Sequence, residues 1–103
     1  MSTNRIEVSK EIEDIMPIFI NSIKKNVNSV KEALKLADFE TIRKLGHQMK
    51  GAGGGYGFDR ITELGRDLEM AAKASNQEEC GRLNELIHTT IEDTEIVFVD
   101  RPL

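Results

Sequence analysis

The sequence predicts an all-α fold: an antiparallel up-down four-helix bundle with a short additional N-terminal helix. Three observations predict it. Apolar residues recur every three or four positions in four successive segments, the period of a helix with one buried face. Short clusters of turn-forming or capping residues separate these segments, and helices joined by short turns pack as antiparallel neighbours. The 103 residues, 39% apolar and 31% charged, suit one globular domain over residues 1–103 and are too few for two cores.

At the N-terminus, Val8, Ile12, Ile15 and Phe19 fall at helical spacing with Ser9 as a candidate N-cap, which gives the short extra helix. Pro17 kinks the chain or opens a new helix, because proline suits the first helical turn and not the interior. From Pro17 to Ala37 the stripe is Phe19, Ile23, Val27, Val30, Leu34 and Ala37. Asp38 is a candidate N-cap for the next helix, with Ile42, Leu45, Met49 and Ala52 on one face. "YGFD" interrupts that helix. Asp59 is placed to cap a third, with Ile61, Leu64, Leu68 and Ala71 as its stripe. "SNQ" breaks the pattern again, Asn76 is placed to cap a fourth helix, and Cys80, Leu83, Ile87, Ile91 and Thr94 form its stripe. The tail "EIVFVDRPL" admits two readings: it extends the last helix, or it forms an ordered tail beyond it.

Composition excludes several functions. A formal net charge of −4 argues against a general nucleic-acid binder, which needs a basic surface. No run approaches the ~18 to 20 apolar residues that span a bilayer. "MSTNRIEVSKEIED" lacks the apolar core of a signal peptide. A cytoplasmic location without membrane attachment is therefore expected. The single cysteine, Cys80, rules out an internal disulfide and a cysteine-based metal site, and is expected to be buried as a small apolar residue.

One stretch departs from the helical pattern: "LGHQMKGAGGGYGF", residues 45–58. At ~100° per residue, His47 projects nearly opposite the Ile42, Leu45, Met49 and Ala52 stripe. Arg43, Lys44, Gly51 and Gly54 share its half of the helix, and Lys50 stands at its edge. His47 is thus expected to be an exposed imidazole, flanked by cations and by positions without side chains. Each interior glycine costs ~1 kcal/mol relative to alanine, so Gly46, Gly51, Gly53 and Gly54 together cost ~3 to 4 kcal/mol. A cost of that size marks close approach. Gly51 and Gly54 lie one and two turns beyond His47 and leave a clearing through which another protein's surface can reach the ring. Lys50, three residues on, lies beside the imidazole and suits a phosphoryl group there. An imidazole, with an unperturbed pKa of ~6.5, is a competent nucleophile at neutral pH. Taken singly, a surface histidine beside lysines is ordinary solvated surface and a glycine cluster is a frayed helix end; the combination is what singles out the stretch.

That combination resembles the histidine phosphotransfer (HPt) domain of multistep phosphorelays. The family motif reads roughly H-x-[apolar]-K-G-[small]-[small]-x-x-[apolar]-G-[apolar]. This chain carries it as His47, Gln48, Met49, Lys50, Gly51, Ala52, Gly53, Gly54, Gly55, Tyr56, Gly57 and Phe58, with Gly46 as the small residue before the histidine. Upstream, "PIFINSIKKNVNSVKEALKLADFETIRKLGH" is similar to the family's long helix, Asp-containing turn and start of the phosphoacceptor helix. Downstream, "LGRDLEMAAK" is similar to its next helix.

The resemblance implies that His47 is the phosphoacceptor through Nε2, that Lys50 balances the phosphoryl charge and that Gly51 lets a partner's active site approach. Gly57 and Phe58 close the helix and start the hairpin. Glu69 stands where family members often place a Gln or Glu that hydrogen-bonds the imidazole Nδ1. It lies at the flank of the Ile61, Leu64 and Leu68 stripe. The run Gly53, Gly54 and Gly55, where many members carry larger residues, is expected to make the last helical turn irregular.

The implied function is a relay. The domain accepts a phosphoryl group from a receiver-domain aspartate, or from a sensor (hybrid) histidine kinase, and passes it to a response-regulator receiver aspartate. It is implied to be a monomeric phosphocarrier and not an enzyme, with no ATP site, no cofactor and no metal of its own; Mg²⁺ belongs to the partner receiver. Phosphoryl transfer is mostly positioning plus electrostatics, so a rigid bundle with an exposed nucleophile suffices. Rival readings fare less well. No G-x-x-x-x-G-K-[ST] or G-x-G-x-x-G lies over residues 46–57, which removes a nucleotide loop. A di-iron bundle needs two Glu-x-x-His pairs. Glu85 and His88 give one, but Lys44 stands where His47 would need a glutamate. The alternative that remains is a helical scaffold that binds a signalling partner without chemistry.

Overall fold

The computed structural model describes residues 4–101. Four helices carry it: α1 (Met16–Lys35), α2 (Phe39–Gly53), α3 (Asp59–Lys73) and α4 (Gln77–Asp93). They pack as the expected antiparallel bundle. Two short strands, β1 (Asn4–Ser9) and β2 (Thr94–Val99), pair in parallel and join the two ends of the described chain.

Capping chemistry explains most of the helix boundaries. Pro17 falls in the first turn of α1, where its missing N–H removes no helical bond. The helix ends before Ala37, whose backbone is left-handed at φ 51°; Ala37 was expected to be the last residue of the stripe. Gln77 donates its side-chain N–H to the Leu34 carbonyl at 3.0 Å, a second donor to an acceptor that the Ala37 N–H already reaches at 3.1 Å. Asp38 caps α2, accepting from the Thr41 backbone N–H at 3.2 Å and from its hydroxyl at 2.7 Å. Asn76 caps α4 through the Glu79 N–H at 3.1 Å. Asp59 does not cap α3. The cap position is Phe58, with no side-chain bond, and Asp59 is the first helical residue. There its charge still meets the positive end of the helix dipole.

The N-terminal helix is corrected to a strand. Val8 lies in β1, and among the described residues the only helical turn before α1 is the 3₁₀ segment Lys10–Ile12, which Ser9 caps by accepting from the Glu11 N–H at 3.1 Å. The tail is settled as β2: Ile96 pairs with Ile6 and Phe98 with Val8, and Thr94 belongs to the strand and not to α4. The Ser9 hydroxyl donates to the Arg101 carbonyl, and Arg101 pairs with Glu7 at 2.8 Å. The spacing of Val8, Ile12, Ile15 and Phe19 mimics a helix because Val8, Ile12 and Phe19 pack inward from three different pieces of backbone, while Ile15 is exposed.

Phe19, Ile23, Val27 and Val30 of α1 meet Ile42 and Met49 of α2, Ile61, Leu64 and Leu68 of α3, and Cys80, Leu83 and Ile87 of α4, all buried. Leu45 and Ala52, expected in the α2 stripe, are only half-buried, while Gly46 and Gly53 are buried. Tyr56 stacks on Phe19 with ring centroids 4.4 Å apart, and Phe58 lies tilted beside the same ring at 5.5 Å. These contacts seat the glycine-rich connection against α1. As expected, that connection is irregular: α2 passes into a 3₁₀ turn at Gly54–Tyr56, and Gly57 reverses the chain at φ 82°.

The closest packing in the bundle is α2 against α3. A Cβ on Gly46 would lie 2.8 Å from the Glu69 backbone nitrogen, and one on Gly65 would lie 2.6 Å from that of Lys50. A Cβ on Gly53 would collide with Thr62. The Thr62 hydroxyl donates to the Lys50 carbonyl at 3.1 Å across the same seam. These glycines serve contact between two helices of one chain. Gly51 has nothing within 4 Å of its would-be Cβ.

The two kinds of glycine predict opposite stability changes. Gly65→Ala is expected to cost ~1 to 3 kcal/mol by overpacking, although alanine is the better helix former. Gly51→Ala is expected to gain up to ~1 kcal/mol. Thermal denaturation of the two variants against the parent checks the pair; a stabilised Gly65→Ala variant contradicts the packing.

Candidate functional site

The α2–α3 seam places three polar side chains together. His47 projects from α2, and its Nδ1 lies 3.3 Å from Oε2 of Glu69 on α3. Lys50, one turn along α2, places Nζ 3.2 Å from the other carboxylate oxygen, Oε1. Their exposures differ sharply: the side chain of His47 is 64% exposed, that of Lys50 35% and that of Glu69 10%. The carboxylate is therefore the buried floor of the site and the imidazole its outer wall. Nε2, on the far side of the ring from Nδ1, has no hydrogen-bond partner among the described residues.

Backbone geometry fixes this arrangement. Glu69 reaches His47 because no Cβ stands between Gly46 and the Glu69 backbone. Gly65, one turn earlier on α3, lets Lys50 approach in the same way. Gly51 and Gly54 are both exposed next to this cluster and keep the outer surface of α2 low.

Charge is concentrated on the one carboxylate. Burial against α2 pushes the Glu69 carboxyl upward, but the Lys50 ammonium, through its contact and its charge, and then His47 and Lys73 outweigh it and hold it below the ordinary value. Arg43, raised chiefly by its hydrogen bond to Glu40, also feels the Glu69 charge. Glu69 is thus the shared counterion of a basic patch. A buried carboxylate tolerates this position because it is paired on both oxygens.

Of the residues singled out in the sequence, His47, Lys50 and Glu69 are in contact and Gly51 lies open on the same helix. His88 is half-buried on α4, outside this cluster. Lys73, Thr62 and Gly65 were not singled out. Lys73 follows Glu69 by four residues, so helical spacing marks it as a neighbour. Gly65 and Thr62 show their purpose only when α2 is laid on α3. Among the described residues, no group of three or more His, Cys, Asp or Glu side chains is placed to hold a metal ion, and no helix is long and apolar enough to cross a membrane.

The fold and the seam define a four-helix bundle with an exposed imidazole backed by a buried carboxylate. The family model for the Hpt domain matches residues 14–95, and the chain belongs to that family. Hpt domains are phosphocarrier modules with a phosphotransfer role in phosphorelays, and they interact with the receiver domains and kinases of two-component systems. No curated protein and no solved structure matches the chain.

The depressed Glu69 carboxyl carries a pH signature. Between its folded value and the ordinary one near 4.5, the folded state binds fewer protons than the unfolded chain. Its contribution to stability is complete above the ordinary value and is lost as pH falls through the lowered one. Glu69→Gln removes that contribution, so the urea midpoint of the variant should fall less steeply with acid than the parent's. Asp38, Glu40 and Glu79, also held low by their hydrogen bonds, keep part of the slope. Parallel acid limbs for parent and variant would exclude the Glu69 contribution.

Proposed function

We propose that His47 is the phosphoacceptor of this domain and that it relays a phosphoryl group between receiver aspartates, or from a sensor (hybrid) histidine kinase to a receiver aspartate. The observation that carries the reading is the division of the imidazole: Nδ1 rests on Glu69 while Nε2 faces outward. The other ring nitrogen's partner sets the tautomer of a histidine. A carboxylate at Nδ1 keeps the proton there and leaves the Nε2 lone pair free.

In the proposed step, Nε2 attacks phosphorus of the partner's aspartyl phosphate in line. The N–P bond forms, the P–O bond to the aspartate breaks, and the aspartate leaves as a carboxylate. The ring retains its Nδ1 proton and gains positive charge, which Glu69 balances as a carboxylate does behind the histidine of a Ser-His-Asp triad. Lys50 stands close enough to turn from Glu69 to the phosphoryl oxygens. Transfer onward is the reverse: the next aspartate attacks phosphorus and the imidazole leaves as the neutral tautomer. A Mg²⁺ held by the partner receiver would supply charge compensation at the phosphoryl group, and this chain's own contribution is the Lys50 cation. Glu69 is a positioning residue; His47 and Lys50 touch the reacting group. The open surface at Gly51 is where the partner's active site docks.

His47→Gln is expected to abolish phosphate acceptance and to leave the helical content unchanged, since the side chain is exposed. Radiolabel transfer from a phosphorylated receiver checks it. Label retained by the variant, or found on His88, overturns the assignment, and partner binding without label on any histidine would favour the scaffold reading.

Two further variants test the supporting roles. Gly51→Leu should slow transfer while the melting temperature holds or rises, because leucine fills the clearing and favours the helix. Glu69→Gln, whose amide oxygen still accepts from Nδ1–H, should slow transfer only moderately, and Glu69→Ala should slow it more. Single-turnover transfer rates rank them; unchanged rates in Gly51→Leu would remove the docking surface, and equal rates across the Glu69 series would remove the positioning role.

A further inference from the structure

Lys50 serves two anions in turn, which leaves one of them uncovered. In the unloaded site its Nζ lies 3.2 Å from Oε1 of Glu69. Once it turns to the phosphoryl oxygens, Oε1 loses its cation. Water is a poor substitute there: the Glu69 side chain is only 10% exposed, and a buried charge stripped of its partner is strongly destabilising. Net charge points the same way. The neutral imidazole, the Glu69 carboxylate and the Lys50 ammonium are together neutral. A phosphoryl group carries close to two negative charges at neutral pH, so on a ring that keeps its Nδ1 proton it leaves these groups about one unit negative. One further cation restores the balance.

Two further cations share a charge interaction with Glu69: Lys73 and Arg43. Arg43 is already bonded through Nε and Nη2 to Glu40. Lys73 holds no hydrogen bond or ion pair among the described residues, and it is exposed. It follows Glu69 by four residues on α3, and glutamate before lysine at this spacing is the order that favours pairing. Long side chains of a helix run back over the preceding turn, which carries Lys73 toward the carboxylate. We propose, on the relay reading of His47, that Lys73 takes over the Glu69 carboxylate when Lys50 moves to the phosphoryl group, so that the support under the ring survives phosphorylation. Lys73 is a positioning residue: it acts on the ring through Glu69 and does not touch the reacting group. No covalent bond changes in the exchange.

Carboxyl titration by ¹³C NMR reads the hand-over without any phosphoryl group. Lys50→Gln imitates the departure of Lys50, and removing a cation raises a carboxyl pKa. With Lys73 in reserve, the Glu69 titration should rise only a little in Lys50→Gln and hardly at all in Lys73→Gln. In the double variant it should rise by more than the two single shifts combined. Lys73→Arg in the Lys50→Gln background should hold it near the Lys50→Gln value. Additive shifts overturn the proposal, since a lysine that only complements the helix dipole gives no such excess. So does Arg43→Gln, if it raises the Lys50→Gln titration as far as Lys73→Gln does.

The loaded protein gives a second readout. Phosphoramidate passes its phosphoryl group to Nε2: its own P–N bond breaks, ammonia leaves, and ³¹P spectra follow the new N–P bond on His47. In the loaded parent the Lys73 ammonium protons should exchange with water more slowly than before loading. In loaded Glu69→Gln they should not. Slowed exchange in both proteins places Lys73 on the phosphoryl group itself and overturns the hand-over, as does unchanged exchange in the parent. A His47 that takes no phosphoryl group counts against the phosphoacceptor reading, while the titration still decides whether Lys73 covers Glu69.

Discussion

The missing Cβ at Gly46 and Gly65, where α2 and α3 touch, is the constraint on which the rest of the molecule depends. Gly46 and Gly65 let two helical backbones approach until a Cβ on either would overlap the other's main chain. Only at that separation does a glutamate side chain from α3 reach both the imidazole and the ammonium of α2 while staying itself almost buried. With a normal helix separation, Glu69 would rotate into solvent and His47 would be an unsupported surface residue. The glycines therefore act on the chemistry through distance, and the helix propensity they give up is offset by the packing and by the ion pairs they permit.

The same seam explains how a mobile surface side chain acquires a defined orientation without being buried. Transfer to and from a partner's aspartate requires an exposed nucleophile, but an exposed imidazole ordinarily samples both tautomers and several rotamers. Glu69 resolves the conflict from below. It is fixed by burial and by Lys50, and the ring rests on it with the other nitrogen turned outward. Lys50 shares that carboxylate; in the proposed relay its cation would already be within the site when the phosphoryl group arrives. Positioning of this kind is most of what phosphoryl transfer asks of a protein.

Much of this was legible in the sequence. The four helices follow from their apolar period, and Asp38 and Asn76 cap where short polar residues precede a periodic run. The exposure of His47 follows from its angle to the Ile42 and Met49 stripe. What local patterns could not carry was long-range pairing. β1 and β2 lie some ninety positions apart, and the residues of β1 and of the turn after it fall by coincidence at helical spacing, so a strand was read as a helix. Tail residues such as Ile96 and Phe98 are half-buried beside that distant partner and α1. The clearing expected at Gly51 and Gly54 suits Gly51, which is open, and the close approach expected of the cluster is, for Gly46 and Gly53, to α3; a helical wheel drawn for one helix cannot show which neighbour lies against it.

The central claim is that the glycine-packed seam delivers Glu69 to Nδ1 and so leaves Nε2 as the free nitrogen. Long-range ¹H–¹⁵N correlation spectra of the His47 ring, recorded at a pH where the imidazole is neutral, observe this without any partner protein. The parent should show the Nδ1–H tautomer in excess, and Gly65→Ala, which forces the helices apart, should shift the ring toward the Nε2–H form that free imidazole side chains favour. A parent spectrum already dominated by Nε2–H, with no change in Gly65→Ala, would contradict the account.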